Sequence, residues 1–335
     1  QERDSLFDVL RTLRAAGRTI VFITHKLNEV MSLSDRVTVL RRGRVVDEAL
    51  TAGTSPAALS LAMTGRSVDT GKRPHEHEPG APLLEVRDLD VTDDDGLPRV
   101  AGVSFSVAAG EVVGIAGVTG SGQSELVEAL IALRAVAGGQ ITLAGHVLDD
   151  HGVRARRDRG IAYVPEDRHA VGSAGPASTS DNLLMGYQWR RRFQRGGWLK
   201  RRPVRRHAAD LVEQFDIKVS GIDQPVGQLS GGNLQKVVVA REFGHDAPLL
   251  IVEQPTRGVD IGAIEFIHGR IIEHRDADRG ILLVSSELWE ILALSTRILV
   301  MFEGRIVAEL DPRLTTDVEI GLAMTGALQH EHAHG

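Results

Sequence analysis

The chain repeats itself, and the repeat limits what it can fold into. "TIVFITHKLNEVMSLSDRVTVLRRGRVV", starting at Thr19, is echoed by "GILLVSSELWEILALSTRILVMFEGRIV", starting at Gly280. His25 aligns with Ser286 and Gly43 with Gly304 at the same offset of 261 residues, and "LAMTG" recurs at Leu61 and Leu322. Such self-similarity marks two copies of one structural unit. Each copy reads as a buried apolar strand (Ile20 to Thr24; Ile281 to Ser285), a helix (Asn28 to Leu33; Trp289 to Leu294), then two short strands around a glycine turn. That order is the closing half of an α/β domain. Because the offset is nearly a domain's length, residue 1 corresponds to position 262 of the second copy, so only the rear of a first domain is expected, over 1–66. Its first helix would put Leu6, Val9, Leu10 and Leu13 on one face and stop at Gly17.

Residues 67–82, "SVDTGKRPHEHEPGAP" up to Pro82, are polar, rich in Pro and Gly and aperiodic, which predicts a linker. The second domain is expected over 83–328 and a tail over 329–335. His75 and His77 of the linker, and His330, His332 and His334 of the tail, read as solvated side chains rather than a metal site. Formal net charge is -6, with 39 Lys+Arg against 45 Asp+Glu, so no overall basic field favours nucleic acid. The absence of cysteine excludes disulfide scaffolds and cysteine-based metal or redox chemistry. No apolar run approaches the roughly 18 residues of a membrane span.

In the second domain, strands "LLEVRDLDV", "VSFSV" and "EVVGIAGV" lead into "GVTGSGQSELVEAL" (Gly117 to Leu130). A strand, a GxxxxG turn and a helix form the setting of a phosphate-binding loop. Gly117, Gly120 and Gly122 allow backbone N–H groups to curl around phosphate oxygens, Ser121 lies among them, and the helix adds its positive end. Ser124 offers a hydroxyl for Mg²⁺, followed by Glu125. Gln123 stands where such loops carry lysine. Further on, "LSGGNLQKVVVARE" sets Ser230, Gly231 and Gly232 at a helix mouth, a second anion-binding terminus or a plain N-cap. "PLLIVEQPTRGVD" then gives an apolar strand ending in Glu253, with Gln254 next and Asp260 beyond.

This order of loop, LSGG and acid-tipped strand resembles the ATP-binding cassette (ABC) ATPases. "YVPEDRH", "LSGGNLQK", "PTRGVDIGA" and "SSELWEIL" look like the tandem-cassette subunits of bacterial ribose and galactoside importers. "GQSELVEAL" and "GAIEFIH" look like the branch that serves nucleoside uptake. The resemblance implies an α/β P-loop NTPase fold: a RecA-like core with an antiparallel β subdomain and a helical subdomain. It implies ATP and Mg²⁺ as cofactors, with each ATP shared between one cassette's loop and the LSGG of another. It also implies transmembrane permease subunits and an extracytoplasmic solute-binding protein as partners, and a peripheral place on the cytoplasmic face of the inner membrane.

Carried over residue by residue, the resemblance makes the second cassette's own site degenerate. Gln123 has lost the charge that makes the lysine contact strong. Glu253 replaces the aspartate that holds Mg²⁺, and Gln254 the glutamate that activates water; an amide cannot take that proton, and a positioned base is worth roughly 10² to 10⁴ in rate. Ser286 takes the place of the switch histidine, and Glu166 that of the glutamine that senses the γ-phosphate. Phosphoryl transfer depends on charge placed around that phosphate, so this loop is expected to bind nucleotide weakly without splitting it. The other shared site would use Ser230 to Gly232 with His25, the first copy's switch histidine. "WRRRFQRGGWLKRRPVRR", from Trp189 to Arg206, interleaves Arg with aromatics; it reads first as a solvated helix face of the helical subdomain, then as a contact with permease or inner leaflet, and last as a nucleic-acid surface. Two other functions stay open: a soluble tandem-cassette protein acting on ribosomes or DNA, and a nucleotide-binding but hydrolytically inactive remnant.

Overall fold

The computed structural model describes residues 2–24, 27–41, 43–64, 79–148 and 152–326. His25, most of the 67–82 linker and the 329–335 tail lie outside the described residues. The chain divides into two compact units, residues 1–70 with 260–265, and residues 71–259 with 266–335.

In the first unit, helices α1 (Glu2–Ala15) and α2 (Leu27–Leu33) precede an antiparallel hairpin of β1 (Arg36–Arg41) and β2 (Arg44–Leu50) and then helix α3 (Pro56–Thr64). Val30, Val39 and Leu59 form its small core, with Leu27, Met31 and Val37 against them. The strand expected over Ile20 to Thr24 does not form: the segment is irregular, with Val21 90% and Ile23 100% exposed. A strand requires a ladder. Ile281 to Val284 have a parallel strand on each side, whereas β1 and β2 are the described strands of the first unit and pair with each other. Helix α1 ends before Gly17, whose φ is +78°, as expected. Its apolar stripe is less covered than the pattern implied, since Val9 and Leu13 are exposed.

The second unit opens with a four-stranded antiparallel sheet of β3 (Pro82–Thr92), β4 (Pro98–Ala108), β6 (Gly138–Leu143) and β7 (His146–Val147), ordered β4-β3-β6-β7. The main sheet contains β5 (Val112–Gly117), β8 (Ile161–Val164), β11 (Leu249–Glu253), β12 (Gly280–Val284), β13 (Arg297–Phe302) and β14 (Arg305–Leu310). Its order is β14-β13-β5-β12-β11-β8, parallel except for the edge strand β14. β5, β11 and β12 are buried at every residue. Such runs follow from a sheet covered on both faces. Val112, Leu250, Val252, Ile281 and Leu283 pack on one side with α8 (Gly231–Phe243). Val113, Ile115, Leu249, Ile251 and Leu282 pack on the other with α4 (Gln123–Leu130) and the antiparallel sheet.

The remaining helices are α5 (Val153–Asp158), α6 (Thr179–Leu184), α7 (Arg201–Gln214), α9 (Ile261–Asp276), α10 (Leu288–Leu294) and α11 (Asp317–Met324). Between α6 and α7 lies a two-stranded hairpin of β9 (Gln194–Arg195) and β10 (Trp198–Leu199). The basic segment is therefore not one helical face. It turns back at Gly196 and Gly197, both at positive φ, before α7 begins. No helix among the described residues is long and apolar enough to cross a membrane.

Candidate functional site

Parallel sheets gather chemistry at the carboxyl ends of their strands. Here four neighbouring strands end together: β5 in the glycine loop, β12 before Ser285 and Ser286, β11 in Glu253 and Gln254, and β8 before Pro165 and Glu166. Among the described residues, the main sequence candidates other than Ser230 to Gly232 and Asp260 thus converge on one edge of the sheet.

The loop is built around missing side chains. A Cβ on Gly122 (φ +97°) would lie 2.2 Å from the Arg99 carbonyl oxygen, and one on Gly117 would lie 2.8 Å from that of Met301. Gly120 is also left-handed, at φ +89°, so the turn is open to glycine for conformational as well as steric reasons. Ser121 is buried; its N–H donates to the Val118 carbonyl at 3.1 Å, and its own carbonyl accepts from Gly304 N–H at 3.1 Å, tying the loop to the β13–β14 turn. Helix α4 starts with no side-chain cap. Its first N–H groups have no intrahelical acceptor and provide the site for an anion. Ser124 is exposed at this mouth and Glu125 is half-buried beside it. Gln123 is buried and folds back, its Nε2 donating to the Val118 carbonyl at 3.3 Å. The amide occupies the space beside Gly117.

The strand-end residues are already engaged. Tyr163 on β8 donates its hydroxyl to Glu253 Oε2. Tyr163 pairs in register with Ile251, so Glu253, two residues on, shares its face. Glu253 is buried, and desolvation, helped by the charges of Glu166 and Glu128 and opposed by the Tyr163 bond, pushes its carboxyl up to about 7. Gln254 sits at φ +45°, its N–H donating to Val284 and its Oε1 accepting from both the N–H and the hydroxyl of Ser286 at 3.0 Å. Glu166 pairs with Arg257. Arg168 donates to the carbonyls of Arg257 (2.6 Å) and Gly258 (3.3 Å), clipping the segment after β8 to the turn after β11.

Ser230 and its glycines stand elsewhere. Ser230 caps α8, its hydroxyl oxygen accepting from Asn233 N–H at 3.4 Å and Nδ2 at 2.9 Å, and the space beside Gly231 is bounded by Arg168 and Gly258. Asp260 acts as a cap, its Oδ1 accepting from Ala263 N–H at 2.9 Å. His25 falls outside the described residues.

Sequence reasoning missed the supports. Ser285 donates to Glu290 Oε2 at 2.7 Å and accepts from Glu287 N–H at 3.1 Å, while Glu290 Oε1 lies 2.8 Å from His268 Nε2. This buried network fixes the turn that carries Ser286. Glu242 on α8 is fully buried and accepts from Arg157, Arg241 and the Tyr187 hydroxyl at 2.7–3.0 Å. Burial alone would raise its carboxyl, but Arg241 and Arg157 outweigh that and hold it below its ordinary value. Tyr163, Glu290 and His268 lie inside the quoted motifs "YVPEDRH", "SSELWEIL" and "GAIEFIH"; the Ser285–Glu290 bond is local to one motif, whereas Glu253 and His268 reach Tyr163 and Glu290 across 90 and 22 residues. Beside these groups, Ile131, Leu133, Tyr163, Met185 and Trp189 help line a cavity of about 360 Å³.

Residues 100–257 match the family described as ABC transporter. Over 327 residues the chain is 45% identical to the glucose import ATP-binding protein TsgD13 of Haloferax volcanii, a match covering 97% of this chain and 60% of that protein. Residues 100–257 belong to the ABC transporter family. It is also 40% identical to the guanosine import ATP-binding protein NupO of Bacillus subtilis, over 98% of this chain and 65% of that one. The chain thus spans less than two thirds of the length of these curated relatives. A solved ATP-binding subunit of an ABC transporter is similar in fold, with a TM-score of 0.59 and 24% identity over 72% of this chain and 99% of that one.

Within this ABC cassette the two halves of the site differ in what they offer. The glycine loop and the mouth of α4 could receive phosphates, because the left-handed Gly120 and Gly122 turn the backbone there and the first N–H groups of α4 have no intrahelical acceptor. Ser124 and Glu253 are the residues that could hold Mg²⁺. Gln254 offers no base: its amide nitrogen is a donor and its oxygen is taken by Ser286.

Proposed function

We propose that this chain belongs to the energy-coupling subunit of an importer for nucleosides or simple sugars, and that its own loop holds ATP without splitting it. The observation that carries this reading is the contrast between a sterically strict glycine cradle and the Gln254–Ser286 pair at the strand ends. Gly117, Gly120 and Gly122 bind phosphate through backbone N–H groups, and Ser124 orients it. Mg²⁺, held by Ser124 and Glu253, would neutralise phosphate charge. Gln254 keeps its amide on Ser286 and takes up no proton, so water beside the γ-phosphate is not activated from this side. Ser230 to Gly232 serve a second site, completed by the loop of another cassette, where hydrolysis takes place.

Membrane permease subunits and an extracytoplasmic solute-binding protein complete the assembly on the cytoplasmic face of the membrane. The relatives' names, one for glucose and one for guanosine, support this range of solutes. The apolar cavity by Trp189 and Met185 is suited to receive a permease segment. The test is solute uptake in cells carrying the full transporter. Gly231→Asp is expected to abolish uptake, whereas Gln254→Glu leaves it within about twofold. Comparable losses from both substitutions, or a large gain from Gln254→Glu, would overturn the asymmetric reading.

A further inference from the structure

The segment from Trp189 to Arg206 contains eight arginines, one lysine and no carboxylate, in a chain whose net charge is -6. Its hairpin is firmly rooted. Phe193 is 1% exposed and packs with Leu184 and Val204. Its carbonyl accepts from Lys200 N–H at 2.7 Å, Lys200 Nζ donates to the Arg191 carbonyl at 2.8 Å, and Gln194 Nε2 donates to the Trp189 carbonyl at 2.7 Å. The tip is the opposite. After the Gly196–Gly197 turn, Trp198 is 82% exposed and Leu199 50%, and Trp198 makes no ring contact among the described residues. A large apolar side chain left outside a well-anchored hairpin is not a packing residue of this fold.

Arg190 and Arg192 lie over the rings of Tyr187 and Phe193 at the root of the hairpin, but most of the other cations have no ion-pair partner among the described residues. Arg191, Arg195, Arg201, Arg202 and Arg206 are exposed and have no ion-pair partner among the described residues; Arg205, paired with Asp223, is the exception. Trp198 lies directly across from Arg195 in the β9–β10 ladder. Arg201 and Arg202 occupy the first turn of α7, which carries no acidic residue and no side-chain cap, so their charge opposes the helix dipole. The free protein gains nothing from this arrangement, whereas an anionic surface would relieve it.

We propose that the β9–β10 hairpin and the start of α7 form a docking surface for a bilayer rich in anionic phospholipid, with Trp198 and Leu199 entering the headgroup–acyl boundary and the arginines meeting headgroup phosphates. An exposed Trp beside an aliphatic residue, ringed by unpaired Arg, is the composition suited to that interface. A single-stranded nucleic acid would need several accessible aromatic faces. Here Phe193 and Tyr187 are buried, and Trp189 is held by Asp158 at 2.7 Å with Arg154 over its ring. The proposal stands on the surface alone and does not depend on how the nucleotide site is read.

The experiment is vesicle flotation of the full chain, with phosphatidylcholine alone and with phosphatidylcholine containing phosphatidylglycerol. The chain should float with the mixed vesicles only, and progressively less as salt rises. Trp198→Ser, and separately Arg201→Ser with Arg202→Ser, should each weaken binding on the order of tenfold. Arg313→Ser, an exposed arginine elsewhere, should not. The emission of Trp198, taken as the difference between the wild type and Trp198→Phe, should shift to the blue on mixed vesicles. Unchanged thermal melting keeps a folding defect from passing as lost binding. Equal flotation with both vesicle types, flotation insensitive to both variants, or binding to a single-stranded oligonucleotide without binding to vesicles would each overturn the proposal.

Discussion

The glycine loop and the strand-end residues lie at the same carboxyl edge of the main sheet, yet they differ in which groups are already engaged. In the loop, function would reside in the backbone: a Cβ at Gly122 would meet the Arg99 carbonyl oxygen, and one at Gly117 the Met301 carbonyl oxygen and the Gln123 amide. At the strand ends, function would reside in side chains, and these are committed to each other, Glu253 to Tyr163 and Gln254 to Ser286. On the proposed reading, phosphate binding tolerates departures that proton transfer does not.

The hardest break in that contrast is Gly122→Ala. A Cβ there would lie 2.2 Å from a backbone oxygen at φ +97°, which should cost about 3–5 kcal/mol and remove nucleotide binding, as denaturant melting and nucleotide titration would show. Next comes the pH dependence of the other half. The Glu253 carboxyl is at about 7 in the fold against an ordinary 4.5, so between these values the folded chain keeps a proton that the unfolded chain releases. Stability therefore falls as pH rises through that window, by on the order of 3 kcal/mol. Glu253→Gln should flatten this slope, as melting at a series of pH values would show.

Gln123→Lys should sharpen the comparison from the loop side. It restores a charged donor to the phosphates and should tighten nucleotide binding about tenfold without introducing turnover. The smallest effect is expected from Gln254→Glu alone. With Ser286 in place of a histidine and Gln123 in place of a lysine, the new carboxylate should bring no measurable phosphate release from the isolated chain.

What the amino-acid pattern revealed, and what it did not, divides along the same line. The loop glycines, the Ser230 cap and the parallel strands were legible because each depends on local geometry or on continuous apolar runs. The strand expected at Ile20 to Thr24 was not, because its apolar residues match those of β12 while the flanking strands that make β12 a strand have no counterpart among the described residues of its unit. Tyr163 and Glu253 meet across 90 residues of chain, and Glu166 and Arg257 across 91. Such pairings follow from strand order and register, which spacing along the chain does not reveal. The β9–β10 hairpin left a trace in Gly196–Gly197 between aromatic and basic residues, a short-hairpin signal masked by the run of arginine.

The central claim is tested most directly by measuring, on one preparation of the purified chain, the binding of a fluorescent ATP analogue and the release of phosphate from ATP with Mg²⁺. The account predicts saturable binding that Ser124→Ala weakens, and phosphate release no greater than that of the Ser124→Ala variant. Robust release that Ser124→Ala abolishes would contradict it.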